Sequence, residues 1–414
     1  MCRYIKNTAI LVFITIFVSG CSVVNSLRMM NANDDIEAVW PEMVSEQNLQ
    51  ATYIGEKPYI HAIVNGNTEL LFLIDTGASF TILFDTPKVQ GLTKEKGFDL
   101  EVGGWGEGEN SKAYQSEIQS LALAGVKFEH VKVAYIPIST SAYYSRADEA
   151  IFDGVIGHDL LRHFSWTLDK KSGVITISAN SPEIKQGDAV MPVSTFLGKL
   201  SIPVKIAFNS EYQVERELLI DTGSRHYLKM STAYLNKNDI EISSTNVTAA
   251  DFGLNGMAEH QRITLPEVSF DHLRINGVKT NLIPSDDEDD WWIIGSALMN
   301  QFITIIDYPS NRFIIRPYPN ASFSSRYNLS GLELRKLQNG NFVVRYVSSK
   351  LPAALAGIEV GNEVASINKI ESSSLTEEQW LQLNADPQPI EICLINSVCK
   401  QFKTKHIQGY STLY

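Results

Sequence analysis

The chain has 414 residues, of which 44% are hydrophobic, and its formal net charge at neutral pH is −12. This length and apolar content are sufficient for two or three folded domains with cores of their own. The acidic balance, with no basic stripe to neutralise phosphates, argues against a nucleic-acid-binding protein.

The N-terminus has the pattern of a secretory signal. Two basic residues precede an apolar segment over residues 9–18, which is shorter than the roughly 20 residues that span a bilayer. The next residues, Ser19-Gly20-Cys21, resemble the end of the lipobox of bacterial lipoprotein signals. The resemblance implies a signal peptide over residues 1–20, a lipid on Cys21 and a lipid-anchored membrane protein of the bacterial cell envelope. With Ser22 in the next position it favours the outer membrane, facing the periplasm; the alternatives are an ordinary cleaved signal and a plain transmembrane anchor.

The segment after the signal, residues 21–52, is polar and acidic. We predict that it is a tether that holds the folded part away from the membrane. Beyond it, short apolar or alternating runs are punctuated by Gly and Asn, as in residues 59–67, where a strand leads into a turn. This pattern predicts a mainly β protein with few helices.

The tripeptide Asp-Thr-Gly occurs twice, each time after an apolar run, at Asp75-Thr76-Gly77 and at Asp221-Thr222-Gly223. The repeat continues downstream at one constant spacing, so that Gly157 matches Gly295 and Asp169 matches Asp307. Each half therefore has the same predicted order: strand, Asp-Thr-Gly turn, long β stretch, short helix and hairpin.

This order resembles the retropepsin-like aspartic proteases, which include the retroviral and pepsin-type enzymes. The resemblance implies a bilobal β-barrel body, with lobe 1 at residues 53–180 and lobe 2 at residues 181–320. It also implies an aspartic endopeptidase that acts on a peptide or protein substrate as a monomeric pseudo-dimer. No serine-hydrolase elbow, zinc-protease motif or phosphate-binding loop is present, and no cofactor or metal is predicted.

The resemblance assigns catalysis to Asp75 and Asp221. Two adjacent carboxylates cannot both ionise cheaply, so one can activate a water as a base while the other donates a proton. The rest of the two motifs is expected to support the loops, by tight turns and by hydroxyl cross-links between them: Thr76, Gly77, Thr222 and Gly223.

The two loops differ in the residue after the glycine, which is Ala78 in the first and Ser224 in the second. A hydroxyl beside a carboxylate favours the ionised form. The hypothesis is therefore that Asp221 is the more readily ionised aspartate. The alternative is that both loops are inactive remnants, in which case the chain is a non-catalytic envelope protein that binds peptides.

A glycine-rich segment, residues 103–108, lies where the family has its mobile flap. Glycine supplies freedom of movement and Trp105 supplies contact area, so Gly104, Trp105 and Gly106 are the predicted substrate-binding residues. The alternative is an ordinary surface turn. The second half has a weaker match at residues 251–256, and the two flaps are not expected to be equivalent.

An acidic run, residues 286–290, stands just before Trp291 and Trp292. We interpret it as a solvated loop. The alternatives are a preference for basic substrates, created by the local field, and a loose cation site.

The last part of the chain, residues 325–410, resembles a bacterial PDZ domain in its order of strand, short helix, tight turn and strand. PDZ domains bind extended peptides or chain ends by adding a strand to a sheet edge, which implies substrate recruitment or regulation. The resemblance assigns peptide binding to one segment, in which a glutamate replaces a glycine and puts capture of a terminal carboxylate in doubt: Gly331, Leu332, Glu333 and Leu334. The alternative is a module that only packs against the protease body.

Two cysteines in this region, Cys393 and Cys399, flank a predicted Asn-Ser turn. They can face each other across a hairpin and form a disulfide in an oxidising compartment. The alternative is a pair of free thiols.

Overall fold

Strands dominate the computed structural model, which describes residues 24–241, 247–287 and 290–407. The prediction of a mainly β protein is confirmed. Residues 24–316, about three quarters of the chain, form two lobes that share one hydrophobic core, and the C-terminal domain has a smaller core of its own.

Lobe 1 contains three short helices, α1 (residues 24–30), α2 (Pro87–Gln90) and α3 (His158–Leu161). Its strands are β1 (Glu46–Ile54), β2 (Lys57–Val64), β3 (Thr68–Ile74), β4 (Ile82–Phe84), β5 (Glu95–Val102), β6 (Ser111–Leu123), β7 (Val126–Ile136), β8 (Gly154–Ile156), β9 (Ser165–Asp169) and β10 (Val174–Ser178).

Lobe 2 contains the helices α4 (Thr232–Lys237) and α5 (Ser296–Met299). Its strands are β11 (Ala189–Pro192), β12 (Ser194–Phe196), β13 (Lys199–Ala207), β14 (Gln213–Asp221), β15 (Leu228–Ser231), β16 (Val247–Gly253), β17 (Gly256–Phe270), β18 (Leu273–Ile283), β19 (Ile293–Gly295), β20 (Ile303–Asp307) and β21 (Arg312–Arg316).

The C-terminal domain contains the helices α6 (Pro352–Leu355) and α7 (Glu377–Leu383). Its strands are β22 (Leu332–Lys336), β23 (Phe342–Val347), β24 (Glu363–Ile367), β25 (Ile370–Glu371), β26 (Pro389–Leu394) and β27 (Cys399–Lys403). Cys393 on β26 pairs with Cys399 on β27, and the two form a disulfide.

The β2–β3 hairpin illustrates how local sequence sets these strands. Ile60, Ala62 and Val64 are buried while the residues between them are more exposed, as alternation along a strand requires. The chain reverses at Asn65 and Gly66, both of which have positive φ, the backbone conformation that an Asn-Gly hairpin turn favours.

The two lobes have the same strand pairing. In lobe 1, β3 runs parallel to β8, and β8 runs antiparallel to β4. In lobe 2, β14 runs parallel to β19, and β19 runs antiparallel to β15. Each lobe therefore ends its central strand, β3 or β14, at an Asp-Thr-Gly loop.

A sheet formed by the ends of both lobes joins them. β9 of lobe 1 pairs antiparallel with β20 of lobe 2, and the neighbouring strands β10 and β21 extend the sheet on either side. Trp166 and Ile306 are register partners in it and are both buried. This shared sheet fixes the position of one lobe against the other.

The segment predicted to be a tether belongs instead to lobe 1. Met29 is fully buried, and the Asn33 amide donates hydrogen bonds to the Lys132 carbonyl (2.8 Å) and to Asp159 (2.7 Å). β1 pairs with both β2 and β10. The segment is polar because side-chain hydrogen bonds hold much of it in place, so composition alone gave the wrong prediction for residues 24–52.

The predicted signal peptide and Cys21 lie in residues 1–23, outside the described residues. Among the residues that are described, no helix is long and apolar enough to cross a membrane.

Candidate active site

The two Asp-Thr-Gly loops meet between the lobes and are bonded to each other reciprocally. The Thr76 amide donates to the Thr222 hydroxyl oxygen (3.0 Å), and the Thr222 amide donates to the Thr76 hydroxyl oxygen (3.1 Å). Each hydroxyl then donates to the strand that leads into the opposite loop, at the carbonyls of Ile220 and Ile74, both at 2.7 Å. Both threonines are buried, so these bonds fix the loops with little competition from water.

The glycines of the motif are required because each loop packs on the carboxyl group of the other. A Cβ on Gly77 would lie 2.7 Å from the carboxyl carbon of Asp221. A Cβ on Gly223 would clash in the same way with the carboxyl group of Asp75. Any larger residue at either position would push the two aspartates apart.

The two carboxyl groups are held by different donors. The Gly77 amide donates to Asp75 (2.8 Å), whereas the Ser224 hydroxyl donates to Asp221 (2.7 Å). The Ser224 hydroxyl thus bonds to Asp221, as required by the hypothesis that Asp221 is the more readily ionised aspartate.

Burial and the neighbouring Asp221 carboxylate raise the pKa of Asp75 to about 7. The second oxygen of Asp221 is buried and accepts no hydrogen bond from a donor in the described residues. The Asp75 carboxyl group lies close enough to Asp221 for the Asp221 charge to favour the protonated form of Asp75. The geometry therefore suits one shared proton, with Asp75 as the acid and Asp221 as the base.

Each loop is also held from behind by the short helix of its own lobe. The first amide of α3, at His158, donates to the Ala78 carbonyl (2.9 Å). The first amide of α5, at Ser296, donates to the Ser224 carbonyl (2.7 Å). This is the structural role of the short helix that the sequence repeat predicted.

Sequence reasoning missed Lys199, which supports the first loop from the opposite lobe. Its ammonium group donates to the Gly77 carbonyl (2.5 Å), and the adjacent turn is fixed by a bond from the Ser79 hydroxyl to the Leu197 carbonyl (2.9 Å). The local sequence Leu197-Gly198-Lys199 indicates only a hairpin turn, because the partners of this lysine are distant in the chain.

The predicted flap, residues 103–108, is the tip of the β5–β6 hairpin, and it touches the tip of the β16–β17 hairpin. The Gly108 amide donates to the Asn255 carbonyl (2.7 Å), and the Asn255 amide donates to the Trp105 carbonyl (3.0 Å). The Asn255 side chain also accepts from the Gly104 amide (2.9 Å). Hydrogen bonds therefore join the tips of the two hairpins, and the expectation that they are not equivalent as flaps stays a prediction.

A cavity of about 780 Å³ lies between the carboxyl pair and the flaps. Its walls include both aspartates, the flap residues Trp105 and Leu254, and the exposed Trp291. This volume is in the range of sites that enclose small ligands or short peptide segments.

The C-terminal domain closes part of this cavity. Leu334 and Arg335 of β22 lie in the cavity wall. Glu333, which is buried, forms salt bridges with Arg225 (2.6 Å) and Arg262 (3.0 Å) of lobe 2. The sequence analysis assigned peptide binding to the segment from Gly331 to Leu334. In the structure this segment is not a separate open groove, because Glu333, which replaces the glycine, bonds to lobe 2.

Asp290, the last residue of the acidic run before Trp291, borders the cavity. Asp286, Asp287 and Asp290 are exposed, and residues 288–289 are outside the described residues. Trp292 is buried, with its ring 5.0 Å from that of Tyr234. In the described ranges, no group of His, Cys, Asp and Glu is arranged to hold a metal ion.

Comparison with protein families bears on the first of the two lobes. Residues 60–160 match the family model of aspartyl proteases. The match includes the first Asp-Thr-Gly loop, the tip of the β5–β6 hairpin and most of α3, so this part of the chain is similar to an aspartyl protease domain. No curated protein matches the chain. The second lobe, which lies outside the matched residues, is related to the first by the repeated topology described above.

The raised pKa of Asp75 makes stability depend on pH. Because its folded-state pKa exceeds the ordinary value of 3.8, the stability from this group is fully present below about pH 4 and is lost as pH rises to about 7. Because Asn does not ionise, Asp75→Asn should be more stable than wild type at pH 8. The expected difference in the free energy of unfolding is about 2 kcal/mol, which includes a reduction for solvent screening in the open cavity. Denaturant unfolding at pH 4 and pH 8 measures the free energy of unfolding of each variant, and Asp35→Asn, at an exposed position, is the control. Equal pH dependence of this free energy in wild type and Asp75→Asn would contradict the prediction.

Proposed function

We propose that this protein is an aspartic endopeptidase whose catalytic pair is Asp75 and Asp221. The observation that carries the proposal is the close approach of two half-buried carboxyl groups, one from each half of the chain, on reciprocally bonded loops. The aspartyl protease match over residues 60–160 supports it. Since one chain supplies both loops, the active form is a monomeric pseudo-dimer.

The proposed reaction uses one water and one shared proton. Asp221 takes a proton from the water while the water oxygen attacks the scissile carbonyl carbon. At the same time Asp75 gives its proton to the carbonyl oxygen. The tetrahedral intermediate then collapses as the C–N bond breaks, and the leaving nitrogen takes a proton from Asp221. The hydroxyl proton returns to Asp75, which restores the starting state.

Substrate entry requires the flaps to separate. Backbone hydrogen bonds between residues 105–108 and 255–257 close the cavity, so a peptide enters only after those bonds break. Once a peptide is bound, closure of the flaps excludes bulk water from the carboxyl pair.

The C-terminal domain, proposed to be PDZ-type, acts through the wall of the cavity. Leu334 and Arg335 border the same space as the aspartates, and Glu333 bonds to Arg225, the residue after Ser224. This placement supports a role of the domain in holding substrate or in regulating the second loop. It does not favour peptide binding in a groove of the C-terminal domain away from the cavity.

Activity is tested with the full chain and a peptide library over acid to neutral pH. Asp75→Asn and Asp221→Asn should each lower kcat by at least about 10³-fold, whereas the exposed Asp35→Asn should have no effect. Because Asp75 must be protonated, kcat/KM should fall as pH rises through about 7. Cleavage that survives either substitution would refute the proposal, and binding without cleavage would establish the non-catalytic peptide-binding alternative.

We also propose a lipid anchor at Cys21 in the bacterial envelope, at the outer membrane and facing the periplasm. Cys21→Ala should abolish incorporation of a labelled fatty acid into the protein, because the Cys21 thiol is the proposed attachment site. Cys2→Ala, within the signal, is the matched control and should be labelled like the wild type. Equal labelling of wild type and Cys21→Ala would contradict the anchor.

A further inference from the structure

The repeat makes Lys229 of lobe 2 and Ile82 of lobe 1 equivalent residues. Lys229 pairs with Ile293 across β15 and β19, and Ile82 pairs with Val155 across β4 and β8. Ile293 and Val155 each stand two residues before the matched glycines that end these strands. Both Lys229 and Ile82 line the cavity, so equivalent walls of the cavity carry an ammonium group in one lobe and an apolar side chain in the other.

The side chains packed around Ile82 are mainly apolar. Its neighbours in the lobe 1 core include Tyr59, Leu73, Phe84 and Phe152, which also border the cavity. A peptide side chain that enters this part of the cavity gains by burying apolar surface.

Lys229 differs from the arginines that border the cavity. Arg225 is bonded to Asp251 and Glu333, and Arg345 is bonded to Glu149. The Lys229 ammonium nitrogen lies 5.1 Å from the centre of the Trp105 ring and has no hydrogen bond or ion pair with another described residue. It therefore stands beneath the first flap with its hydrogen-bonding capacity unused.

The charge on Lys229 is retained at neutral pH. Burial lowers its pKa to about 8, against the opposing effect of the Asp221, Asp290 and Asp251 carboxylates. The Asp290 carboxylate itself accepts a hydrogen bond from the Ser285 hydroxyl and is exposed. At pH 7 the major form of Lys229 is thus an ammonium group that has lost part of its hydration and gained no acceptor in return.

We propose that Lys229 forms a subsite for a substrate carboxylate, so that cleavage favours peptides with Asp or Glu at one position on one side of the scissile bond. The inference rests on the proposed function, since it takes the cavity to be the peptide-binding cleft. A carboxylate restores the hydrogen bonds that burial removed from the ammonium group. The equivalent position on the other side of the scissile bond meets Ile82 and takes an apolar side chain.

The asymmetry also gives the substrate a direction. A peptide is not symmetric, so it can lie across a pseudo-symmetric cleft in either orientation unless the subsites differ. Lys229 and Ile82 make them differ in charge, and a peptide with one acidic and one apolar side chain then fits in a single orientation.

The test uses the full chain and matched peptides in which Glu, Gln or Lys occupies each position in turn around one cleaved bond. The ratio of kcat/KM for Glu over Gln should be on the order of 10- to 100-fold at one position. Lys229→Met should reduce the ratio to about 1, Lys229→Arg should largely preserve it, and Lys229→Glu should reverse the preference toward Lys. The exposed Lys205→Met is the matched control and should leave the ratio unchanged.

The outcomes separate this inference from the proposed function. Cleavage with equal rates for Glu and Gln, or a Glu preference that persists in Lys229→Met, refutes the subsite while the protease stands. A wild-type preference for Lys also refutes the subsite and indicates that the acidic run at residues 286–290 governs selection. If no peptide is cleaved, the protease proposal fails, and fluorescence anisotropy with the same labelled peptides decides the subsite: Lys229-dependent tighter binding of Glu supports it, and equal binding overturns it.

Discussion

The structure depends on holding two carboxyl groups together where both cannot ionise. Burying like charges side by side is costly, and the loops that carry Asp75 and Asp221 would separate if each were held only by its own lobe. The reciprocal bonds of Thr76 and Thr222 oppose that separation. The shared sheet of β9, β10, β20 and β21 and the common core of the two lobes keep both loops in register.

A short series of side-chain contacts connects the C-terminal domain to the carboxyl pair. Asp221 accepts a hydrogen bond from Ser224, and the next residue, Arg225, pairs with Glu333 of β22. Breaking a buried ion pair of this kind leaves an uncompensated charge. Movement of the domain would therefore shift Arg225 and the second Asp-Thr-Gly loop beside it. We infer that the domain is part of the site's architecture.

The repeat made much of the fold and the carboxyl pair predictable, because a strand, a tight turn and a short helix each have local sequence patterns. What local patterns missed depends on distant partners. Asn33 is bonded to Lys132 of β7 and to Asp159 of α3, which lie 99 and 126 residues later. Asn255 pairs with the first flap, and Glu333 pairs with Arg225. Polar residues of this kind resemble tether, turn or surface residues until the fold supplies their partners.

The central claim is that Asp75 and Asp221 share one proton in one site. It is tested most directly by NMR titration of selectively labelled aspartate carboxyl carbons, with Asp75 assigned from the Asp75→Asn spectrum. The account predicts that the Asp75 carboxyl titrates near pH 7 and that this titration disappears or moves toward its ordinary value in Asp221→Asn. Titration of Asp75 near pH 4, with the same midpoint in wild type and Asp221→Asn, would contradict it.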